Sequence, residues 1–414
     1  MVIKEGFKQT EIGIIPNDWM IEKMSELTIL MTNGFVGVAK THYTPYDNGV
    51  LYIQGYNVKE NSFNFNGIKR VTEEFHAKNS KSNLREGDLL TVQTGDVGLT
   101  TIVPKELEGS NCHALIISRF KKHKYNSLYF SYYLNSDIGR VRLKGIETGT
   151  TMKHINVGDL IHFYVPIPNI AEQTAIATAL SDADGLITGL EKLIAKKQNI
   201  KQGAMQQLLQ PKEGWELKKL GELGKVYGGL SGKSKIDFHE GKYPYIPFMN
   251  IMSNSVIDST YLDYVNIKNG EFQNQALKGD LFFNGSSETP EEVGMCSALL
   301  EDIPNLYLNS FCFGYRLYKE HNADSLYLSY FFRSDEGRNL FYAMAQGATR
   351  YNLSKGNFLK LEIKLPKPEE QTRIATILSD MDAELSALEQ KLEKYKKVKL
   401  GMMQELLTGK TRLV

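Results

Sequence analysis

Ala171-Glu172-Gln173-Thr174-Ala175-Ile176-Ala177-Thr178-Ala179-Leu180-Ser181-Asp182 is answered 198 residues later by Glu369-Glu370-Gln371-Thr372-Arg373-Ile374-Ala375-Thr376-Ile377-Leu378-Ser379-Asp380. The register then holds without a gap to Leu208-Leu209 and Leu406-Leu407. A repeat of this length means that one architecture occurs twice, and it decides the fold before any single motif is weighed.

Within the first copy Ile176, Leu180, Ala183, Ile187, Leu190 and Ile194 fall at alternating steps of four and three, the apolar seam of a coiled coil. The second copy repeats the seam with Ile374, Leu378, Met381, Leu385, Leu388 and Leu392. Pro168 precedes one segment, Pro366 and Pro368 the other, and acidic residues sit in each first turn, as expected for helix starts. About 39 residues at about 1.5 Å each predict rods of roughly 58 Å. The simplest burial for two such stripes is against each other, antiparallel, because a compact domain lies between them in the chain. Packing of each helix on its own globular half is the alternative. The run Lys192, Lys196, Lys197, Lys201, Lys391, Lys394, Lys396, Lys397 and Lys399 reads, taken alone, as a solvated face.

The repeat also runs backwards. Leu128-Tyr129-Phe130-Ser131-Tyr132-Tyr133 pairs with Leu326-Tyr327-Leu328-Ser329-Tyr330-Phe331, and Ser136-Asp137-Ile138-Gly139-Arg140 with Ser334-Asp335-Glu336-Gly337-Arg338. Gly87-Asp88-Leu89 matches Gly279-Asp280-Leu281, and Trp19 matches Trp215, at offsets of 192 and 196. The drifting offset marks insertions and deletions, so each half is a divergent globular part followed by a well-kept helical part. The expected fold class is α+β: two mixed domains related by a pseudo-two-fold axis and separated by two long helices in an antiparallel coiled coil. The domain boundaries read as 1–19 for an N-terminal extension, 20–168 and 212–366 for the globular parts, 169–211 for the central helix and 367–414 for the distal helix and tail.

In the globular parts short β-rich runs such as Val50-Leu51-Tyr52-Ile53 alternate with loops rich in Gly, Asn, Ser and Thr. Tyr129, Phe130, Tyr132 and Tyr133 fall in a helical pattern and are expected to face a core. The polar loops with isolated cations are the candidates for ligand contact. They carry Lys40 and His42, then Gln93 and Thr94, then Thr150, Thr151, Lys153 and His154; in the second half they carry Lys233 and Lys235, Asn284 and Ser286, and Thr349, Arg350 and Tyr351. Side chains of these types can reach base edges and phosphates.

Composition narrows the field. The chain has 414 residues, 42% of them apolar and 23% charged, enough for two domains with buried cores. Lys and Arg number 49 against 48 acidic residues, so nucleic-acid binding has to rest on local patches. No stretch reaches the roughly 18 apolar residues of a membrane span, and the start lacks a signal core; a soluble cytoplasmic protein is expected, with no membrane partner. Cys112, Cys296 and Cys312 have no metal-ligand spacing and read as small buried thiols.

Catalytic signatures fail one by one. Gly228-Gly229-Leu230-Ser231-Gly232-Lys233-Ser234 has Tyr227 where a phosphate loop needs its first glycine, and Gly409-Lys410-Thr411 has Gln404 there. GxGxxG, HExxH and GxSxG are absent, as is the NPPY or DPPY tetrad of a base-amino methyltransferase. Glu362-Ile363-Lys364 has no upstream Pro-Asp partner for nuclease chemistry.

With these residues in view the chain resembles the specificity subunit of type I restriction–modification enzymes. The opening Thr10-Glu11-Ile12-Gly13-Ile14-Ile15-Pro16-Asn17-Asp18-Trp19, the segment Glu370-Gln371-Thr372-Arg373-Ile374-Ala375 and the ending Leu406-Leu407-Thr408-Gly409-Lys410-Thr411-Arg412-Leu413 carry the resemblance, which covers nearly the whole chain. It implies a target recognition domain in each half, together reading a bipartite sequence in double-stranded DNA, and a chain that is itself non-catalytic and holds no cofactor. It further implies two modification (methyltransferase) subunits that carry S-adenosylmethionine, and restriction (motor–nuclease) subunits that use ATP and magnesium. Gln173, Ile176, Leu180, Gln371, Arg373, Ile374 and Leu378 are then the expected partner contacts. Ala171 and Ala175 depart from the family pattern and predict weaker partner binding at the central helix than at the distal one. Rods near 58 Å match roughly 17 base pairs, room for an unread spacer between half-sites. A duplicated protein-binding scaffold is the alternative from another class.

Overall fold

The structure, a computed structural model, describes residues 5–45, 47, 49–344 and 351–413. Chain contacts divide it into two units, Met1–Glu191 with Lys391–Val414, and Lys192–Gln390. Each unit therefore contains one globular part and pieces of both long helices, which run Ile170–Leu209 and Pro368–Leu406.

In the first unit a four-stranded antiparallel sheet has the order Thr100–Ile102, Leu89–Val92, Leu115–Phe120, Thr28–Asn33. Alternating side chains go to opposite faces of a strand. Leu89 and Ile116 enter one core with the helix residues Ile176, Leu180 and Met403, while Leu90, Val92, Leu115 and Ile117 enter another. The two central strands are thus covered on both faces, so Leu89 and Leu90, and Leu115, Ile116 and Ile117, are buried in succession rather than at every second position. Beside it lies a three-stranded sheet of Asn111–Cys112, Val50–Ile53 and Lys69–Val71.

The second unit repeats the plan. Its four-stranded sheet runs Gly224–Gly228, Cys312–Leu317, Leu281–Asn284, Cys296–Ala298, with Phe283, Phe313 and Tyr315 on the helix side and Phe282 and Cys312 on the other. Its three-stranded sheet joins Asp263–Val265, Phe238–Ile246 and Tyr307–Leu308.

The repeated motifs explain the local geometry. Asn126 and Asp324 cap the helices Ser127–Asn135 and Ser325–Arg333 by accepting two backbone N–H bonds each. Ser136 and Ser334 cap the helices that follow, accepting from the N–H of Gly139 and Gly337. A Cβ on Gly139 would lie 2.0 Å from the Tyr133 carbonyl oxygen, and one on Gly337 2.3 Å from that of Phe331, so glycine is what lets each helix pair close up. Tyr129, Phe130, Tyr132 and Tyr133 are all buried, as their pattern indicated.

Candidate functional site

The helices are locked to each globular part by a three-residue clasp that occurs twice. In the first unit Tyr132 donates to Asp184 Oδ2 at 2.7 Å, while Lys399 Nζ lies 2.7 Å from Asp184 Oδ1 and 5.8 Å above the Tyr132 ring. In the second unit Tyr330 donates to Asp382 Oδ2 at 2.7 Å, and Lys201 pairs with Asp382 and stands 5.7 Å above the Tyr330 ring. Burial first, and then the bond to the carboxylate, pushes both phenols well above their ordinary range. Further pairs are Lys396 with Glu191 at 3.2 Å and Lys197 with Glu384 at 2.6 Å. As residue number rises along one helix its partners' numbers fall, so within each unit the two helices run antiparallel. Four lysines of the basic run thus form ion pairs, whereas Lys192, Lys196, Lys391, Lys394 and Lys397 are exposed.

Most of the expected partner contacts are used inside the chain. Gln173 Oε1 accepts from the backbone N–H of Asn126 at 2.9 Å and its Nε2 donates to the Pro168 carbonyl; Gln371 does the same with Asp324 at 2.9 Å and Pro366 at 2.8 Å. Ile176, Leu180, Ile374 and Leu378 are fully buried in the cores. An amide that ties a strand end to a helix cap, or an aliphatic inside a core, is not presented to another protein. Of the seven residues only Arg373 is exposed, 3.9 Å from Glu370.

A further device closes the first unit. Arg412 Nη2 lies 2.7 Å from Asp18 and 2.7 Å from Glu172, its guanidinium sits 5.9 Å from the Trp19 ring centre, and Trp19 Nε1 donates to Glu172 at 3.1 Å. Gly409, at φ +68°, lies against Pro16 and Trp19 where a Cβ would clash. The Arg412 bonds hold the Asp18 carboxyl below its ordinary range and push the guanidinium up. In the second unit the chain runs directly from Leu209 to Glu216, and Glu370, the counterpart of Glu172, meets Lys212 of that connection at 4.0 Å.

Two of the candidate loops in each unit meet beyond a central strand of the four-stranded sheet, Leu89–Val92 in the first and Leu281–Asn284 in the second. Thr94 and Thr148 both bridge to His154, whose ring meets the Thr148 hydroxyl at 3.1 Å, and Ser286 pairs with Asn352 in the corresponding place. Thr94, Thr150, Thr151 and Lys153 are exposed on this loop pair, as are Lys40 and His42 on another. His42 is tilted against Phe75 at 4.8 Å, and Gln93 is buried with its amide on the Ile155 carbonyl. In the second unit Lys235 is exposed and Ser286 half-buried, lining a cavity of about 440 Å³ with Phe248, Ser287, Glu288, Glu292 and Phe311. Tyr351 is half-buried beside the second core. Thr349 and Arg350 lie outside the described residues.

Two loop candidates turn inward. Lys233 has a side chain only 4% exposed, with Nζ 2.6 Å from Glu271, and this bond pulls the Glu271 carboxyl down to about 2. Asn284 is fully buried, accepting from the Met295 N–H and donating to the Glu292 carbonyl. A polar residue at the end of a buried strand satisfies its own loop first.

The role of Gly87-Asp88-Leu89 and its copy was not legible in the sequence. Asp88 takes both Arg119 Nε and Nη2 at 2.7 Å, and Asp280 takes Arg316 at 2.8 and 2.7 Å, each carboxylate also capping the loop before its strand. The arginines sit in strands some 30 residues on, with only their equal place in the repeat as a signal. Among the described residues no group of three or more His, Cys, Asp or Glu is arranged to hold a metal, and the three cysteines are free and buried.

Comparison with known proteins agrees with this duplicated plan. A putative type I restriction enzyme MjaX specificity subunit of Methanocaldococcus jannaschii is 25% identical over 432 residues, covering 99% of this chain and 97% of the relative. The Escherichia coli EcoBI specificity subunit is 20% identical over 196 residues, 46% of this chain and 41% of that one. The crystal structure of a type I restriction–modification S subunit from M. genitalium superimposes with a TM-score of 0.58 at 16% identity, over 98% of both chains, and so shares the fold. The model of the type I restriction modification DNA specificity domain matches residues 16–202 and again 212–398, and the chain belongs to that family.

Proposed function

We propose that the chain is the DNA sequence-specificity subunit of a type I restriction–modification enzyme. Each unit reads one half of a bipartite target in double-stranded DNA, and the chain assembles methyltransferase and motor–nuclease subunits without catalysing a step itself. The observation that carries the reading is a frame repeated twice, down to the Tyr–Asp–Lys clasp, on which the surface loops differ between the copies. Equal frames suit two copies of one partner, and unequal loops suit two different half-sites.

S-adenosylmethionine, ATP and magnesium then belong to the partner subunits, two of them methyltransferases, one at each clasped frame. No described helix is long and apolar enough to cross a membrane, and the reading puts the protein in the cytoplasm with the DNA. Exposed Lys40, Lys153 and Lys235 are the cations best placed to meet phosphates.

The test is co-expression with the neighbouring methyltransferase subunit and genome-wide mapping of methylated adenines. A split motif with a fixed unread gap is expected, and exchange of residues 20–168 for another variable half is expected to change one half-site alone. An active methyltransferase that forms no complex and leaves no motif would refute the reading in favour of a protein-binding scaffold.

A further inference from the structure

The three most exposed large apolar side chains among the described residues are Ile236 at 91%, Phe272 at 86% and Val38 at 78%. They are not scattered. Val38 lies in the loop that leaves the edge strand Thr28–Asn33 at Gly34, where Val36 is also exposed. Ile236 lies in the loop that leaves Gly224–Gly228 at Gly229, and that strand holds the same edge place in the second unit's sheet. Both glycines press on equivalent neighbours: a Cβ on Gly34 would come 2.7 Å from the Cys112 carbonyl oxygen, and one on Gly229 2.9 Å from that of Leu308.

Phe272 sits on a second loop braced to the first. Lys233 Nζ lies 2.6 Å from Glu271 and 2.6 Å from the Asn266 carbonyl, while the Gln273 amide accepts from the Ser231 N–H at 3.1 Å and donates to its carbonyl at 2.8 Å. A buried ammonium is thus spent on holding two loops whose apolar tips stay in water, where they gain nothing from burial. Lys235 and Lys268 are exposed beside them, Lys40 beside Val38, and the nearby carboxylates of Glu271 and Asp237 are taken by Lys233 and Ser234.

The occupant follows from what differs between the units. The helix junction Ser-Asp-x-Gly-Arg is the same twice, but these loops read Val36-Gly37-Val38-Ala39-Lys40 and Ser231-Gly232-Lys233-Ser234-Lys235-Ile236. Two copies of one protein meet equal surfaces; two different half-sites meet unequal ones. We infer that Val36 and Val38 in one unit, and Ile236 and Phe272 in the other, are apolar base contacts that help set the two half-sites. Aliphatic side chains pack on thymine methyls or wedge between base steps, and a phenyl ring stacks on a base. The inference rests on the DNA-reading role proposed above.

The experiment compares the complete complex with two variants, Ile236→Ser/Phe272→Ser and Val36→Ser/Val38→Ser, using a cognate duplex, a random duplex, a salt series and the methylated motif. Each variant is expected to lose about tenfold or more in affinity for the cognate duplex and to relax one half-site, a different one for each. Random-duplex affinity and salt slope stay as in wild type, because no cation is removed, and their retention shows that the variant is folded. Unchanged cognate affinity and motif overturn the inference alone, and so does loss of the methyltransferase subunits from the complex, which assigns the loops to protein. A wild-type complex that reads no split motif overturns the underlying proposal and this inference with it.

Discussion

The Tyr132 hydroxyl donates to Asp184 over 2.7 Å, and 198 residues later Tyr330 makes the same bond to Asp382. The lysine that completes the first pair comes from the end of the second long helix, and the lysine that completes the second comes from the first helix. Each globular part is therefore held by both helices.

Tyr132→Phe and Tyr330→Phe each delete a hydrogen bond to a partly buried carboxylate. A local cost of about 1.5–3 kcal/mol is expected, visible as faster amide exchange in the helical residues of the unit concerned and unchanged exchange in the other. A cycle of Tyr132→Phe with Asp184→Asn that turns out additive would mean that the bond carries no coupling energy.

Among the described residues, Arg412→Ala leaves the buried Glu172 carboxylate with only the Trp19 indole, and a loss of about 3 kcal/mol is expected in the first unit. Protection of residues 7–19 against proteolysis reports it. Because the folded-state value of Asp18 is depressed, the Arg412–Asp18 contribution is full above the ordinary carboxylate range and fades as pH falls through the lowered value. Protection of 7–19 that does not decline in acid would sink this account.

Lys153 and Lys233 separate surface from interior. Lys153→Ala is expected to weaken binding to all duplexes alike and to lower the salt slope by about one. Lys233→Met is expected to leave the slope alone and to loosen the loops at 231–237 and 266–273. Equal slopes for Lys153→Ala and wild type would remove that loop from the DNA surface; the same comparison for Arg350→Ala tests its counterpart.

Removing seven residues from each long helix takes out about 10.5 Å of rise. The unread gap of the methylated motif is expected to shrink by about three base pairs. A gap of wild-type length would show that the helices do not set it.

Cys112 and Cys296 are pushed well above the ordinary thiol range by burial, and Cys312 to about 12. None is expected to react with a maleimide at neutral pH until the chain unfolds. Rapid labelling of the native protein would contradict the packing of both sheets.

Periodicity determined a great deal by itself. The 198-residue repeat established the duplication, and the seam from Ile176 to Ile194 and from Ile374 to Leu392 established two long helices, because both signals are local in sequence. The resemblance to the family was carried by the opening Thr10–Trp19, the segment Glu370–Ala375 and the ending Leu406–Leu413. The jobs of single side chains were decided only by tertiary structure. Gln173 and Gln371 looked available to a partner until the fold brought the N–H of Asn126 and Asp324 to their amides. Lys233 looked like a surface cation until Glu271 arrived from a loop 38 residues away, and Arg119 and Arg316 drew no notice until folding set them on Asp88 and Asp280. A helical seam is written within a few turns of chain, whereas whether a polar group faces solvent or a partner depends on which distant segment folding delivers to it, and no local pattern encodes that meeting.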